Sequence, residues 1–396
     1  MHGEPTVDLL LDPGGVRPKL AAAAAVGPTA IDAVTGAVFV LRYDEIERLA
    51  RDPRMMGVGL SLFDVMGIEG ALRQWYGSLM FTSEGEAHGR LRRLVSRAFT
   101  PRAVERLRDD AAKLVNEGFV QMETDGEGDL VQVFGRLSVR VMCRLLGVPE
   151  EDVDVWGSWA EALSPVFGFM EPEQIRAAEA ALAELLPYIG ALVEQRRGDP
   201  RDDLITALIR AEEDGQRLRR DEVVTMVSNL LVAADDTTTS QIGCTLLTLM
   251  RHPSAVAVLR ADPAVTPAAV TESMRYEPSI GVIPRTTTAP VEIGGTTRPA
   301  GTMVLLAVIT GNRDPAVWQH AESFDVQRFT RPSAPRLLSF GTGAHYCLGA
   351  NLARMTLEET VAGFVARDIM PTEDLEDVRW RQVLGRSPAS LRARMT

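Results

Sequence analysis

The chain is poor in cysteine and has no long apolar run. Cys143, Cys244 and Cys347 stand far apart in 396 residues, and their spacing and odd number favour a reducing compartment over a disulfide framework. No apolar run reaches the roughly 18 residues of a membrane-spanning helix, and the N-terminal stretch lacks the charged and apolar parts of a signal peptide. We therefore expect a cytoplasmic protein that does not bind a membrane.

Basic residues are also in deficit, and no linker divides the chain. A formal charge of -12 opposes non-specific binding to nucleic acid or to anionic lipid, because the overall field repels phosphate. The sequence contains no repeat and no Ser/Pro/Gly-rich linker, so we expect one domain, 1–396, with a flexible stretch at 1–20. A hydrophobic fraction of 45% with 24% charged residues is typical of a globular protein with a substantial core.

Hydrophobic periodicity predicts an α+β fold that is predominantly helical. Apolar residues recur at intervals of three and four in seven segments, which we interpret as helices: 102–123, 136–147, 173–196, 202–213, 219–250, 265–276 and 348–366. Three short segments bounded by Gly or Pro read as strands: 37–42, 289–295 and 301–309, with "IGG" as a hairpin turn. The sheet is therefore expected to be small.

One cysteine has unusual surroundings. Cys143 and Cys244 lie in apolar helical stretches, where free cysteine behaves as a small buried hydrophobe. Cys347 lies in "FGTGAHYCLG", where the glycines allow the backbone to approach a bulky or flat group, or to adopt positive φ. A structural cysteine in a turn, or a zinc site shared with His345, is the alternative, although zinc requires two more ligands and no second Cys/His pair is near.

Three other stretches are weak signals when each is taken alone. The sequence "DDTTT" at 235–239 reads equally well as a polar patch or a local helix distortion, because Asp and Thr compete for backbone hydrogen bonds. Glu272 and Arg275 are one helical turn apart, a spacing that usually gives a solvated ion pair. Residues 90–102 contain five arginines and no acid, which is also compatible with an ordinary solvated helix face.

Together these stretches resemble the bacterial cytochrome P-450 family of haem-thiolate monooxygenases. The segment at 340–349 matches the family's Phe-Gly-x-Gly-x-His-x-Cys-x-Gly loop at all six fixed positions, and the resemblance extends from the first strand to the C-terminus. It implies a P-450 fold in which haem b lies between a distal helix and this loop. Cys347 would be the iron ligand, because a thiolate pushes electron density toward the bound oxygen, and Phe340, Gly341 and Gly349 would contact the cofactor.

The resemblance also implies roles for residues outside the loop. Asp236 and Thr237 match the family's acid–alcohol pair, in which the hydroxyl binds the activated oxygen and the carboxylate relays protons, although Ala234 replaces the usual glycine. The resemblance implies that the haem propionates are bound by His88, Arg92, Arg285 and His345. It implies a structural group of ion pairs formed by Glu272, Arg275 and Arg328. It places at the pocket floor Val232, Ala233 and Ile283. The apolar segments 55–80 and "SPVFGFMEPEQ" are the expected lid.

The implied reaction is insertion of one atom of O2 into a small hydrophobic substrate. Electrons from NAD(P)H are expected to arrive through a separate ferredoxin and ferredoxin reductase, because the chain has no G-x-G-x-x-G dinucleotide motif and no fused flavin module. Three alternatives remain open from the sequence. They are a peroxide-driven enzyme, an oxygen-free isomerase or dehydratase, and a non-catalytic haem sensor or carrier.

Overall fold

A computed structural model describes residues 4–8, 15–213, 215–382 and 385–395. The prediction of a predominantly helical α+β fold is confirmed. The predicted flexible stretch 1–20 lies partly outside the described residues. Within it, the described residues include a two-residue strand, Thr6–Val7, and the start of a helix at Val16.

The helices make up most of the described chain. In chain order they are α1 (Val16–Val26), α2 (Tyr43–Leu49), α3 (Ser61–Met66), α4 (Gly70–Ser78), α5 (Gly85–Ala98), α6 (Pro101–Glu105), α7 (Arg108–Asp125), α8 (Leu130–Val133), α9 (Leu137–Leu146), α10 (Val153–Leu163), α11 (Pro172–Gly198), α12 (Leu204–Arg210), α13 (Arg220–Arg251), α14 (Pro253–Ala261), α15 (Thr266–Tyr276), α16 (Val308–Gly311) and α17 (Ala350–Val365).

The strands are short and form several small sheets. They are β1 (Thr6–Val7), β2 (Thr29–Asp32), β3 (Val38–Val40), β4 (Met55–Met56), β5 (Glu127–Asp129), β6 (Glu212–Glu213), β7 (Gln216–Arg217), β8 (Ile283–Thr287), β9 (Val291–Ile293), β10 (Thr296–Arg298), β11 (Met303–Leu306), β12 (Ile369–Pro371), β13 (Trp380–Gln382), β14 (Arg386–Pro388) and β15 (Arg392–Met395). The largest sheet has the order β1-β2-β3-β11-β8-β4. Strand β15 pairs with β12 and β5, while β13 and β14 form a hairpin near the C-terminus.

The predicted hairpin is confirmed. Strands β9 and β10 pair antiparallel with Ile293 opposite Thr296, which leaves Gly294 and Gly295 as a two-residue turn. Both glycines have positive φ, +59° and +79°, a combination that other residues adopt only with strain. The "IGG" signal therefore identified both the turn and its position.

Two helix predictions were wrong in detail. The segment 102–123 contains a break, because α6 ends at Glu105 and α7 begins at Arg108. Helix α6 begins at Pro101 behind Thr100, whose hydroxyl accepts the Ala103 N–H at 3.1 Å. The segment 202–213 also ends early, since α12 stops at Arg210 and Glu212–Glu213 forms a strand.

Helix α13 runs through the main hydrophobic core. It begins where the Glu222 carboxylate accepts the Arg219 N–H at 2.8 Å and ends before Pro253, which starts α14. Helices α9, α10, α11 and α17 and the β13–β14 hairpin all pack against it. Its residues are buried on nearly all sides, so any exposed residue at its centre indicates an internal space.

No single described helix is long and apolar enough to cross a lipid bilayer. One pair of helices, α13 with α14, passes the same criteria of length and composition, with a bend of 97° between them.

Candidate active site

The cysteine loop, residues 337–349, is closed by its own backbone. The Cys347 N–H donates to the Phe340 carbonyl at 2.9 Å. Gly341 and Gly343 have φ values of +69° and +73°, which lets the chain reverse direction twice within a few residues. A Cβ at Gly343 would lie 2.8 Å from the Ala50 carbonyl oxygen, so this position has room only for glycine.

The Cys347 thiol faces an internal space. Burial raises the pKa of the thiol, while the Gly349 N–H and the charges of Arg92 and Arg354 act in the opposite direction. The side chain nevertheless has exposed surface, so that surface opens into the molecule. Among the described residues, no group of three or more His, Cys, Asp or Glu side chains is arranged to hold a metal ion, which weighs against the zinc alternative.

Arg354 lies on the first turns of α17, the helix that follows the cysteine. Its guanidinium lies 4.6 Å from the centre of the Phe340 ring, and its Nη1 is 3.5 Å from the Tyr346 hydroxyl. The Phe340 ring in turn makes an edge contact with Tyr346 at 6.3 Å between centroids. The positive N-terminus of α17, which begins shortly after Cys347, and this arginine therefore both place positive charge near the thiol.

Helix α13 has its own exposed residues at mid-length. Ala233 is exposed, and Ala234 and Thr237 are partly exposed, although the flanking turns are buried. Helix α13 is continuous through this segment, and the Thr237 hydroxyl donates to the Ala233 carbonyl at 3.0 Å. Val232, in contrast, is 2% exposed and lies in the packed core rather than on the exposed face.

Ile283 lies between the apolar cluster around the largest sheet and the cysteine loop. It begins β8 and is partly exposed, and a Cβ at Gly341 would lie 3.8 Å from its Cδ1 atom. The structure thus brings Ile283 to the cysteine loop and exposes Ala233 on α13, but it does not expose Val232. Both Ala233 and Val232 were expected at the pocket floor.

Basic residues from three separate elements gather beside the loop. The rings of His88 and His345 stack with centroids 4.1 Å apart, and His345 Nε2 lies 2.9 Å from Glu84 Oε2. Burial, together with the charges of His345 and Arg92, lowers the pKa of His88 to about 4. Burial also lowers the pKa values of Arg92 and Arg285, which are opposed by the Cys347 and Glu84 charges respectively.

Glu84 is the acidic residue of this basic cluster. Burial would raise its pKa, but the hydrogen bonds from His345 and from the Gly57 N–H lower it overall. One carboxylate thus lies in a cluster with two partly buried guanidinium groups and two imidazoles, and Arg92 and Arg285 together carry more positive charge than Glu84 balances. Such an excess favours binding of an anionic group.

The Asp236 carboxylate is held by the end of the chain. It lies 3.4 Å from Arg381 Nη1, accepts the Gly385 N–H at 2.5 Å and lies 3.3 Å from the Ser240 hydroxyl. Asp236 is therefore buried against the β13–β14 hairpin, while its neighbour Thr237 lies on the exposed face. The expected acid–alcohol pair is adjacent in sequence, but its two side chains have different partners.

Sequence reasoning missed Asp235, the first acid of "DDTTT". Its Oδ2 accepts the Ser164 hydroxyl at 2.7 Å, and burial together with the charges of Asp236 and Glu161 raises its pKa to about 6. Two consecutive acids in an otherwise apolar helix could have indicated a buried carboxyl group at Asp235, but the resemblance assigned a role only to Asp236. Ser164 begins the segment that was expected to form part of a lid.

The two expected lid segments contact each other. Phe81, which directly follows segment 55–80, makes an edge contact with Phe167 at 5.6 Å, and Tyr76 lies 6.2 Å from the same ring. The Met170 N–H also points at Met66 Sδ over 3.1 Å. These contacts join segment 55–80 and Phe81 to the connection between α10 and α11.

Glu272, Arg275 and Arg328 meet in the core. The Glu272 carboxylate binds Arg275 through two hydrogen bonds of 2.7 and 2.8 Å and lies 3.0 Å from Arg328 Nε. All three side chains are buried, and the guanidinium groups donate their remaining hydrogens to backbone carbonyls between 312 and 323. The arrangement fastens the segment before the cysteine loop to α15.

The comparisons with known proteins agree on one family. The cytochrome P450 family model matches residues 159–367. The chain is 35% identical over 357 residues to 6-deoxyerythronolide B hydroxylase of Saccharopolyspora erythraea, covering 87% of this chain and 86% of that one. It is 39% identical over 319 residues to cyclomarin C epoxidase of Salinispora arenicola, covering 80% and 79%. Its structure is similar to that of cytochrome P450 CYP109Q5 from Chondromyces apiculatus, with a TM-score of 0.89, 28% identity and coverage of 100% and 99%.

Proposed function

The chain belongs to the cytochrome P450 family, and we propose that Cys347 is the thiolate ligand of its haem b and that the enzyme hydroxylates or epoxidises a hydrophobic secondary metabolite. The observation that carries the proposal is the Cys347 thiol, which faces an internal space under the positive end of α17. Relatives that cover most of the chain are named as hydroxylases and epoxidases, so the protein is a monooxygenase. We also propose that 1–396 acts as a single catalytic domain.

The residues around the loop fit haem b. The porphyrin carries two propionates, and the basic cluster of His88, Arg92, Arg285 and His345 has more positive charge than Glu84 balances. A propionate near His88 would raise its pKa and favour the imidazolium, so binding of the cofactor should take up protons. Phe340, Gly341 and Gly349 would line the side of the ring that faces the thiolate.

Held by Cys347 and the basic cluster, haem b would supply the iron that activates O2, and with two electrons from the donor and two protons one oxygen atom would enter the substrate while the other leaves as water. The chain must deliver those two protons to the space beside α13. We assign that task to Thr237, whose hydroxyl lies on the exposed face of α13, and to Asp236 behind it.

The proposed proton path requires a movement or a water. Asp236 is turned toward Arg381 and Gly385, so its carboxylate reaches Thr237 only by rotating or through a bridging water. The Thr237 hydroxyl now donates to the Ala233 carbonyl, a bond it must give up in order to donate toward the substrate side. Arg381 thereby sets how readily the acid leaves its resting position.

Electrons are proposed to come from a ferredoxin and its reductase. The family requires an electron donor, and the sequence has no G-x-G-x-x-G dinucleotide motif with which the chain could take electrons from NAD(P)H itself. Among the alternatives, the epoxidase and hydroxylase relatives favour O2 activation.

The test is a stoichiometry measurement on the purified protein. A panel of terpenoids, polyketides, steroids and aromatic acids is first screened by the ligand-induced shift of the Soret band. The best ligand is then incubated with NAD(P)H, ferredoxin and ferredoxin reductase, and O2 and product are quantified. We expect one O2 consumed per hydroxylated or epoxidised product. Product formation that is independent of O2 would contradict the monooxygenase proposal.

A further inference from the structure

Asn229 is a buried amide without a hydrogen-bond partner on helix α13. It is 6% exposed, and its Oδ1 atom is buried with no partner among the residues that the structure describes. Buried side-chain polar atoms are nearly always paired, so an orphan at this depth requires an explanation such as a bound water or ligand. A buried amide that stays unpaired destabilises the fold.

Its position on α13 links it to the exposed face. Asn229 precedes Ala233 by four residues and Thr237 by eight, so the three share one stripe of the helix. Ala233 is exposed and Thr237 is partly exposed to the internal space at mid-helix. At 1.5 Å per residue, the amide is thus about 6 Å along the helix from Ala233 and about 12 Å from Thr237.

The neighbouring Ser228 hydroxyl does not pair with Asn229. Ser228 accepts the Trp75 Nε1–H at 2.9 Å and donates to the Thr225 carbonyl at 2.8 Å, so its hydroxyl is fully used. The residues three positions before and after Asn229 are Met226 and Val232, both buried and apolar. A bound water needs two to about four polar partners, and the helix offers it little besides the amide and the Thr225 hydroxyl.

The other orphaned atoms belong to different surroundings. Arg251 and Arg298 each leave only their Nε atom unpaired and bind Leu375 and Glu4 through their terminal nitrogens. Trp156 lies on α10, where its ring packs against Trp159 and Tyr188. Among these four, Asn229 is therefore the amide that stands on the stripe leading to Thr237.

We propose that Asn229 binds a polar group of the substrate and selects which carbon is oxidised. This inference rests on the proposed function, because the pocket is the one above the haem. The amide can donate through Nδ2 or accept through Oδ1, and a rotation of the side-chain amide exchanges the two. The substrate is then an apolar skeleton that carries a hydroxyl or carbonyl oxygen roughly two helical turns, about 12 Å along the axis of α13, from the end of the molecule that lies beside Thr237.

The recognition is selective because the surroundings are apolar. A substrate without the oxygen leaves the amide unpaired inside the pocket, whereas a substrate with it replaces a missing hydrogen bond. Hydrophobic contact alone discriminates poorly among similar skeletons. A single buried amide therefore fixes orientation as well as affinity.

The experiment uses four probes that bind haem iron through the same nitrogen. These are 4-phenylimidazole and its three isomers with one hydroxyl on the phenyl ring, titrated into the haem-loaded protein and followed by the red shift of the Soret band. In the parent protein, at least one hydroxylated isomer should bind about two- to tenfold tighter than 4-phenylimidazole, the size of one hydrogen bond. Asn229→Leu should remove that preference while 4-phenylimidazole binds as before or tighter.

Two controls separate substrate recognition from a structural role. Ser228→Ala removes the adjacent hydroxyl and should lower the melting temperature without changing the preference among the probes. Asn229→Leu should instead raise the melting temperature of the ligand-free protein, because it removes an unpaired buried amide. If leucine prevents folding, Asn229→Ala is tested for the same loss of preference.

The outcomes are distinct. If no hydroxylated isomer is preferred, or if the preference survives in the Asn229 variant, the amide does not recognise the ligand and the inference is wrong. If 4-phenylimidazole itself fails to shift the Soret band in the parent protein, the haem pocket is wrongly assigned, and the proposed function falls together with this inference.

Discussion

Two adjacent carboxyl groups on α13 have different surroundings. Asp236 is bound by Arg381 and the Gly385 N–H, while Asp235 receives one neutral hydrogen bond from Ser164. Burial and the neighbouring negative charges of Asp236 and Glu161 raise the pKa of Asp235 to about 6, against the opposing effects of Ser164 and Arg381. Asp235 therefore takes up a proton at a pH well above the usual range of a carboxyl group.

Asp235 should make stability depend on pH. Its pKa is about 6 in the folded protein and 3.8 ordinarily, so the folded state holds a proton that the unfolded state releases. Stability from this group is present below about pH 4 and is lost as the pH rises to about 6. Asp235→Asn should therefore stabilise the protein by ~1 to 3 kcal/mol above pH 6 and change little near pH 4. Urea unfolding at several pH values measures this.

A conservative control tests the same group. Ser164→Ala removes the hydrogen bond that lowers the pKa of Asp235, so it should steepen the loss of stability between about pH 4 and 7. Parallel stability profiles for the parent and Asp235→Asn would show that Asp235 titrates normally.

Thr237 should control how efficiently electrons are used. Thr237→Ala should leave substrate affinity nearly unchanged but divert reducing equivalents to hydrogen peroxide, because the hydroxyl that positions the proton donor is lost. Thr237→Ser keeps the hydroxyl and should restore most of the product yield. Product and peroxide per NAD(P)H are measured together, and equal ratios in the parent and Thr237→Ala would mean that the protons take another route.

At the scale of elements, the site depends on segments that approach from distant parts of the chain. The β13–β14 hairpin fixes Asp236 on α13, and a Cβ at Gly385 would lie 2.7 Å from Ser240 Cβ. The cysteine loop is fixed in a similar way, because Gly343 packs against the backbone of Ala50. Close backbone contacts thus position both faces of the proposed haem pocket.

Gly343→Ala should weaken haem retention. The new methyl group would meet the Ala50 carbonyl at 2.8 Å, and a φ of +73° is unfavourable for alanine. Gly295→Ala is the matched control, since its φ of +79° is similar but a Cβ there meets nothing within 4 Å. We expect the free energy of unfolding to fall by ~1 kcal/mol in the control and by clearly more in Gly343→Ala. Transfer of haem to apomyoglobin compares the two, and equal rates would contradict the close contact.

Local patterns predicted the parts of the site that are contiguous in sequence. The cysteine loop, helix α13 and the Gly294–Gly295 turn all followed from glycine positions or a period of 3.6 residues. The partners of Asp236 did not, because Arg381 is 145 residues away and nothing local marks it. Val232 was placed in the pocket from the resemblance alone, and its position on the helix turns it into the core.

At the scale of the whole molecule, charge is distributed unevenly. The net charge is -12, yet α5 and α6 carry exposed Arg93, Arg97 and Arg102, and α5 also carries His88 and Arg92 of the basic cluster beside the cysteine loop. Arg90, from the same run, is partly buried and lies 2.8 Å from Glu222. An acidic ferredoxin would be repelled by the net negative charge of the protein and attracted by the local positive charge of Arg93, Arg97 and Arg102.

Replacing Arg93, Arg97 and Arg102 together with Glu should slow electron transfer from ferredoxin at low salt. Haem content and substrate binding should stay normal, and the parent should itself be inhibited by salt, because screening at 0.15 M acts beyond about 8 Å. Stopped-flow reduction of the haem across a salt series measures the effect. Equal rates for the variant and the parent would mean that these arginines form an ordinary solvated face.

The central claim is that Cys347 binds the haem iron as a thiolate. The most direct measurement is the absorption spectrum of the reduced carbon monoxide complex of the parent protein, of Cys347→Ser and of the control Cys143→Ala. The parent and the control should show the red-shifted Soret band of an anionic sulfur ligand, and Cys347→Ser should lack it. A red-shifted band that persists in Cys347→Ser would contradict the account.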